Sequence, residues 1–314
     1  MIELLDIKVD VVFKDFFGDK SSKEILESFI NAVLDLQGDD LIEVEEFLDP
    51  RKMRVEVGRP STFVDLSVKT RGGEQYIIEM QTYNHEGFDK RLLYYLGKDY
   101  TEQIDYHYHQ PKDQKKTKKL VDWHDLPKVH IIAIVDFHRS EQEKNGILND
   151  KKVVETYRFK PEFSASNEHL FNQWKATLVD LKKFKTKPLE ELKKDKEKWF
   201  YLLKNASLIK EKEANSLKQD PVFQRALERL ERLSSDPKTR KAYEASINEH
   251  RDHLAVLSSE RKAGHVEGLK KGRQEGRKEE KNEIAQALLK QGLPVDRISE
   301  ATGLSIEEIK SLQN

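Results

Sequence analysis

The stretch FVDLSVKTRGGEQYIIEMQ, residues 63–81, predicts two antiparallel strands joined by a tight turn. Its centre, Arg71-Gly72-Gly73, fits a three-residue hairpin loop, in which glycine supplies the left-handed backbone position. With this loop, Thr70 and Glu74 form the pair that closes the hairpin. The rest of the pairing follows from this register.

Side chains alternate along a strand and paired residues share a face, so the register separates a polar face of the hairpin from an apolar one. Asp65 lies directly opposite Glu79, and Gln81 follows on the same face. A two-residue loop would shift the register by one and place Asp65 and Glu79 on opposite faces. The three-residue loop is favoured because it makes the other face continuously apolar, in the pairs Val64 with Met80, Leu66 with Ile78, and Val68 with Tyr76.

The composition indicates a soluble intracellular protein with exposed helical extensions. Of its 314 residues, 36% are charged and 37% are hydrophobic, which is polar for one compact globule. The chain has no cysteine, which excludes disulfides and cysteine-ligated metal sites. No long apolar run suits a membrane span, and the N-terminus lacks the pattern of a signal peptide. We therefore expect a cytoplasmic protein without membrane contact.

The sequence around the hairpin predicts an α/β domain over residues 1–180. Helical periodicity follows Ser21 to Glu24, which has the spacing of a capping box. A further helix is predicted from about Phe88 to Gln103. The apolar, β-branched run 129–135 predicts a strand buried on both faces. Other strand candidates are residues 43–48, 54–57 and 153–159.

Beyond residue 180 the pattern is helical, with a predicted helical region over residues 181–260. Glycine then recurs every fourth residue from Gly264 to Gly276, among charged residues. Each such glycine costs about 1 kcal/mol relative to alanine inside a helix. Segment 261–282 is therefore either a flexible linker or a helix whose glycines permit close self-association.

The last segment, 283–314, predicts a small unit with the spacing of a helix-turn-helix. Gly292 ends its first helix, and Ser305 to Glu308 has the spacing of a capping box before its last. The segment in the position of a recognition helix, 306–312, carries two glutamates and one lysine, which is poor chemistry for approaching phosphates. We therefore favour docking or dimerisation over DNA binding for this unit.

The acidic face of the hairpin suggests a metal site. Two facing carboxylates repel each other unless a cation or a proton lies between them, and oxygen ligands suit Mg²⁺ or Mn²⁺. Such an ion would polarise a phosphodiester, and Gln81 would orient a water or a phosphate oxygen through its amide. The plainer alternative places Asp65 and Glu79 on a solvated hairpin face. Against it, Phe63 and Ile77 indicate a partly covered face, where an acidic pair needs a partner.

Four segments, taken in order, point to a known family. They are DVVFKDFFGD at 10–19, IIEMQ at 77–81, KRLLYY at 90–95, and the glycine repeats followed by LLKQGLPVDRISEATGLSIEEIKSL. Together they resemble the Rpn family of recombination-promoting nucleases, also described as PD-(D/E)XK family transposases. The resemblance extends over nearly the whole chain. It implies a restriction-endonuclease-like mixed sheet flanked by helices, an all-helical C-terminal region and a metal-dependent DNA endonuclease.

The resemblance also implies roles for particular residues. Asp65 and Glu79 are the implied metal ligands, with Mg²⁺ or Mn²⁺ as the cofactor. Gln81 stands where the superfamily usually has a catalytic lysine, which leaves proton transfer to water at the metal or to another group. Glu27 is the candidate third ligand, with an ordinary exposed glutamate as the equal alternative. Asp10 fits a cap or a turn.

Basic and aromatic residues that follow the hairpin are the predicted DNA contacts. Arg91 and Lys98 would hold phosphates, and Tyr94 or Tyr95 would pack against the backbone or a base. The lysine-rich loop 112–119 adds weaker candidates, because such loops are more often only solvated. These are Lys115, Lys116, Lys118 and Lys119.

The leading hypothesis is a Mg²⁺-dependent endonuclease that cuts double-stranded DNA in recombination, mobile-element biology or defence. Because cutting both strands requires two active sites, we expect a homo-oligomer, in the simplest case a dimer. The main alternative is a catalytically silent DNA-binding or assembly protein that acts through its helical tail. A third hypothesis is a nuclease-like fold that acts on RNA.

Overall fold

The computed structural model describes residues 3–48, 64–83, 87–109, 127–139, 152–159 and 173–312. Two compact units divide the chain, Met1–Ile247 and Asn248–Asn314, and each is described by itself. The strand candidate 54–57 and the four lysines of the basic loop lie outside the described residues. No helix within these ranges is long and apolar enough to cross a membrane.

The first unit is built on a mixed six-stranded sheet flanked by helices, which confirms the predicted fold class. The strands are β1 Val44–Leu48, β2 Leu66–Thr70, β3 Gln75–Gln81, β4 Val129–Val135, β5 Val154–Tyr157 and β6 Trp174–Asp180. They lie in the order β1-β2-β3-β4-β6-β5. The pairs β3–β4 and β4–β6 are parallel, and the other neighbours are antiparallel.

Helices cover this sheet and continue beyond it. The helices of the first unit are α1 Asp10–Phe17, α2 Lys23–Val33, α3 Phe88–His109, α4 Asp195–Asn205, α5 Glu211–Leu217 and α6 Pro221–Ser235. A long helix, α7 Pro237–Lys290, begins in this unit, and α8 Val295–Thr302 and α9 Ile306–Ser311 follow it.

The central hairpin has the predicted register. Residues 66–69 of β2 pair with residues 78–75 of β3. The Thr70 backbone N–H donates to the Glu74 carbonyl oxygen over 2.9 Å and closes the three-residue loop. Gly73 has a φ of 83°, the left-handed conformation that the loop requires of a glycine.

The first residues of the hairpin differ from the prediction. β2 begins at Leu66, so Asp65 precedes the strand instead of lying on it. Val64 packs with Ile77 beneath α3, whereas Met80 belongs to the core on the opposite face of the sheet. The predicted pair of Val64 with Met80 is therefore wrong. Strict alternation of faces does not extend beyond the last hydrogen-bonded pair of the ladder.

Both faces of the sheet are buried. On one face, α1, α2, α4 and α6 share a large core in which the Trp199 ring lies 6.1 Å from that of Phe17 and 4.7 Å from that of Phe223. On the other face, Leu96 of α3 packs over Ile131 of β4. β4 is buried along its whole length, as predicted. The helices beyond residue 180 thus share the core of the sheet, and the predicted domain boundaries at 180, 260 and 282 stay predictions.

One strand was missed in the sequence, and one local interpretation is wrong. Strand β6 was not predicted, because its polar residues hide a strand that packs between β4 and β5. The capping box joins Asp19 and Ser22, not Ser21 and Glu24. The Asp19 carboxylate accepts from the Ser21 N–H, and this locks a short 3₁₀ turn ahead of α2.

The second unit contains most of α7 and the two short helices that follow. Ala285, Ile298, Leu304 and Ile309 form its small core. The capping box of Ser305 and Glu308 is present as predicted. The left-handed Gly292 and Gly303 end α7 and α8.

The glycine repeat lies inside α7, so the flexible-linker alternative is wrong. A methyl group added at Gly264, Gly268, Gly272 or Gly276 would meet no described atom within 4 Å. The repeat therefore has open space beside it, and its predicted role in self-association stays a prediction.

Candidate active site

The start of β2 and the end of β3 bring two buried carboxylates together. Asp65 is 7% exposed and Glu79 is 3% exposed. The Met80 backbone N–H donates to Asp65 Oδ2 over 2.8 Å, a hydrogen bond that joins the two segments of the hairpin. The acidic pair is therefore not the solvated face of an amphipathic hairpin, because both side chains are almost closed off from solvent.

Helix α1 adds a third acidic group, Asp10, and a cation, Lys14, to this pair. Lys14 Nζ lies 2.6 Å from Asp10 Oδ1 and 3.3 Å from Asp65 Oδ1. The side chains of Lys14 and Asp10 are 38% and 59% exposed, so they form the solvent boundary of the buried pair. The sequence interpretation did not single out Lys14, although its position one turn after Asp10 places both on one face of a helix.

Burial strongly perturbs Asp65. Burial and, to a lesser extent, a hydrogen bond with Asp10 raise the pKa of the Asp65 carboxyl, which comes to about 7. The Lys14 ammonium and the hydrogen bond from Met80 N–H act in the opposite direction. The effect of desolvation is larger because the carboxyl is nearly closed off from water, whereas its cationic partner Lys14 is itself partly exposed.

Glu79 is perturbed in the same direction. Burial and then the nearby Asp65 raise the pKa of Glu79 well above its usual value, while the charge of Arg91 opposes the shift. Glu79 Oε1 is buried without a hydrogen-bond partner in the part of the chain that the structure describes. Burial and the Glu79 carboxylate also raise the pKa of the Tyr95 hydroxyl, to about 12.

These features fit a divalent cation. A buried carboxylate oxygen without a partner costs free energy, and a hard cation beside two carboxylates removes that cost. Over the described ranges, no three His, Cys, Asp or Glu side chains form a group that could hold a metal. Two carboxylates are nevertheless a common protein contribution for Mg²⁺, whose other ligands are water and substrate phosphate.

The remaining catalytic candidates divide between near and distant positions. Gln81 ends β3, two residues after Glu79, and is half-buried. Glu27 lies on α2, where its Oε1 accepts from the Val44 N–H of β1 over 2.6 Å. This contact gives Glu27 a structural partner at another strand, and its role as a third ligand stays a prediction.

The predicted DNA contacts on α3 differ in how exposed their side chains are. Arg91 is half-buried, lies 5.8 Å from the Phe88 ring and acts electrostatically on Glu79. Tyr95 is buried beneath α3, which argues against base stacking, and the neighbouring Tyr94 is the exposed ring. Lys98 is half-buried on the same helix. The roles of these residues in DNA contact stay predictions.

Two family models match the chain. Residues 7–260 match the PD-(D/E)XK nuclease family transposase model, and residues 278–314 match the C-terminal HTH domain of the Rpn/YhgA-like nuclease family. No curated protein and no solved structure matches the chain. The first match covers well over half of the chain, contains the buried acidic pair and confirms the resemblance seen in the sequence. The chain therefore belongs to the PD-(D/E)XK nuclease family transposases and ends in the helix-turn-helix domain of the Rpn/YhgA-like nucleases.

Proposed function

We propose that this protein is a metal-dependent endonuclease that hydrolyses phosphodiester bonds in double-stranded DNA. The observation that carries the proposal is the buried pair of Asp65 and Glu79, with Glu79 Oε1 left without a hydrogen-bond partner among the described residues. Two carboxylates buried side by side destabilise a fold unless a cation or a proton compensates them. A nuclease that binds a divalent ion needs this arrangement, and the family of the chain supports that use.

Each residue of the site has a distinct role in the proposed reaction. Asp65 and Glu79 would hold Mg²⁺ or Mn²⁺, and the ion would supply positive charge to the phosphodiester and lower the pKa of a water molecule. Arg91 offsets part of the charge of Glu79 and keeps its carboxylate available as a ligand. The Gln81 amide orients a water or a phosphate oxygen but accepts no proton as a general base.

The proposed reaction is hydrolysis in one displacement. The oxygen of water forms a bond to phosphorus, and the bond from phosphorus to the leaving sugar oxygen breaks. The attacking water loses a proton to solvent, and the leaving oxygen takes one up from solvent. Asp65 is fixed for this step by the hydrogen bond from Met80 N–H, so the site needs little rearrangement.

The direct test uses a plasmid substrate with Mg²⁺ or Mn²⁺. Wild-type protein should nick or cut the plasmid, and Asp65→Ala should lose about 100-fold or more of the rate, since even the partners of metal ligands contribute 10- to 100-fold. Asp39→Ala, which removes an exposed carboxylate of the same unit, is the matched control and should cut normally. Equal cutting by wild type and Asp65→Ala, or none by either, would overturn the proposed site.

A second candidate function is DNA binding or assembly without cleavage, through the C-terminal unit. Gln81 favours it, because it stands in the place where the superfamily usually has a catalytic lysine. The plasmid assay separates the two functions, since a silent binder shifts the plasmid without cutting it. Replacing the plasmid with single-stranded RNA tests the third hypothesis, and cleavage of RNA alone would transfer the proposed activity to RNA.

A further inference from the structure

We infer that Lys14 is a further catalytic residue, whose ammonium group contacts the scissile phosphate and supplies the positive charge that Gln81 lacks. This inference rests on the proposed nuclease function. Gln81 ends β3 with a neutral amide, so a positively charged side chain at the phosphate has to come from another element. Helix α1 places Lys14 at the site, 51 positions before Asp65 in the chain.

The position of Lys14 suits contact with a phosphate held at the acidic pair. Its Nζ lies 3.3 Å from Asp65 Oδ1, so it already borders the proposed metal ligand. Asp10 holds the same ammonium from the solvent side at 2.6 Å, through an i,i+4 contact along α1. The ammonium is therefore kept beside Asp65 by groups on two different elements.

The exposure of Lys14 matches a group that meets an incoming substrate. Its side chain is 38% exposed, whereas Asp65 and Glu79 lie almost fully buried behind it. A phosphate that arrives from solvent meets Lys14 on its way to the carboxylates. The four-carbon stem of lysine lets the ammonium move toward a phosphate oxygen once a divalent ion compensates Asp65.

The fold fixes α1 firmly enough for this role. A methyl group at Gly18 would lie 2.5 Å from the Lys14 carbonyl oxygen and 2.7 Å from Leu66 Cδ2, so the end of α1 packs directly against the start of β2. On the other side, the buried Arg229 of α6 donates to the carbonyl oxygens of Phe16 and Asp15. These contacts hold Lys14 in register with Asp65, which is the preorganisation that catalysis requires.

The competing explanation is that Lys14 only neutralises the buried Asp65 and stabilises the fold. The two roles differ in how the protein depends on salt when it binds DNA. Log affinity falls as log salt concentration rises, and a lysine that contacts a phosphate makes this slope steeper by about 0.9. A lysine that only pairs with Asp65 adds nothing to this slope.

The test compares Lys14→Gln, Lys14→Arg and wild type with two measurements. The first is the affinity for a short DNA duplex in Ca²⁺ over a series of salt concentrations. The second is the single-turnover cleavage rate in saturating Mg²⁺. Lys212→Gln is the matched control, because Lys212 is 86% exposed on α5 and pairs only with a surface glutamate in the described contacts.

We expect Lys14→Gln to lower the salt slope by about 0.9 and the cleavage rate by about 10²- to 10³-fold, as when one donor to a developing charge is lost. Lys14→Arg should keep the slope and recover part of the rate, and Lys212→Gln should match wild type. If Lys14→Gln does not fold, Lys14→Met keeps the aliphatic stem and takes its place.

A wild-type slope and rate in the charge-removing variant would overturn the inference while leaving the nuclease function in place. The role of Lys14 and the nuclease function can be tested separately, because Asp65→Ala tests the nuclease function itself. If wild-type protein shows no metal-dependent cleavage, the proposed function fails, and the role of Lys14 fails with it.

Discussion

At the scale of single residues, the acidic pair has two competing requirements. Burial favours the neutral form of each carboxyl and raises the pKa values of Asp65 and Glu79. A metal ion requires the ionised forms. In the proposed function the two carboxyls would release their protons on binding a divalent cation, and without metal they oppose folding as they ionise.

This trade predicts how metal-free protein responds to pH. The folded-state pKa of Asp65 is raised from its usual value to about 7, so its contribution to stability is fully present below about pH 4 and is lost as the pH rises through about 7. Asp65→Asn does not ionise and escapes this loss. In the presence of a chelator, its free energy of unfolding should exceed that of wild type by on the order of 1–3 kcal/mol near pH 8.

Thermal or urea unfolding at about pH 4 and about pH 8 measures this difference. Asp39→Asn is the control for loss of an exposed carboxylate and should follow wild type at both values. A difference between Asp65→Asn and wild type that stays constant with pH would contradict the assigned pKa shift.

At the scale of elements, α1 is the component on which the site depends. Its apolar residues Phe13, Phe16 and Phe17 are buried in the main core, while Asp10 and Lys14 point to the acidic pair. The helix has only eight residues, which is too short to be stable alone in water. Packing against β2 and α6 therefore determines where Lys14 lies.

A pair of glycine-to-alanine substitutions tests this packing. In Gly18→Ala the new methyl group would collide with the backbone of α1 and with Leu66, so we expect a loss of about 1–3 kcal/mol in unfolding free energy. In Gly264→Ala the methyl group meets no described atom within 4 Å, so α7 should gain about 1 kcal/mol. Circular dichroism during thermal unfolding measures both changes. Higher stability of Gly18→Ala would contradict the close packing at Gly18, and lower stability of Gly264→Ala would contradict the open space at Gly264.

At the scale of the whole molecule, the chain joins a nuclease-like unit to a helical unit that ends in a helix-turn-helix domain. The last helix, α9, carries Glu307 and Glu308 in its first turn, which disfavours its approach to phosphates. We therefore predict assembly as the first role of the C-terminal unit. A homo-oligomer would supply the two active sites that a double-strand cut needs.

Deletion of residues 260–314 tests this assignment. If the unit mediates assembly, the truncated protein should elute from a sizing column with fewer subunits per particle than the full-length chain and should bind DNA more weakly, because an assembly contacts more phosphates than a monomer. Light scattering gives the mass and a duplex titration gives the affinity. An unchanged number of subunits and an unchanged DNA affinity would show that the tail is dispensable for both assembly and binding.

Much of this fold was predictable from local patterns. The alternation of apolar residues and the glycine loop were enough to set the hairpin register, because a shift of one residue reverses every side chain. The run 129–135 predicted a buried strand in the same way. Strand β6 was missed because its burial comes from its neighbours β4 and β5, which lie elsewhere in the sequence.

The sequence alone thus determined every described strand except β6, most of the described helices, the closeness of Asp65 to Glu79 and the family of the chain. Each of these depends on spacings within one segment or on segments in a fixed order. Only the tertiary structure decided that the acidic pair is buried and that Lys14 lies beside it. Burial and long-range contacts depend on how α1, α3 and α6 pack around the sheet, and no local periodicity specifies that packing.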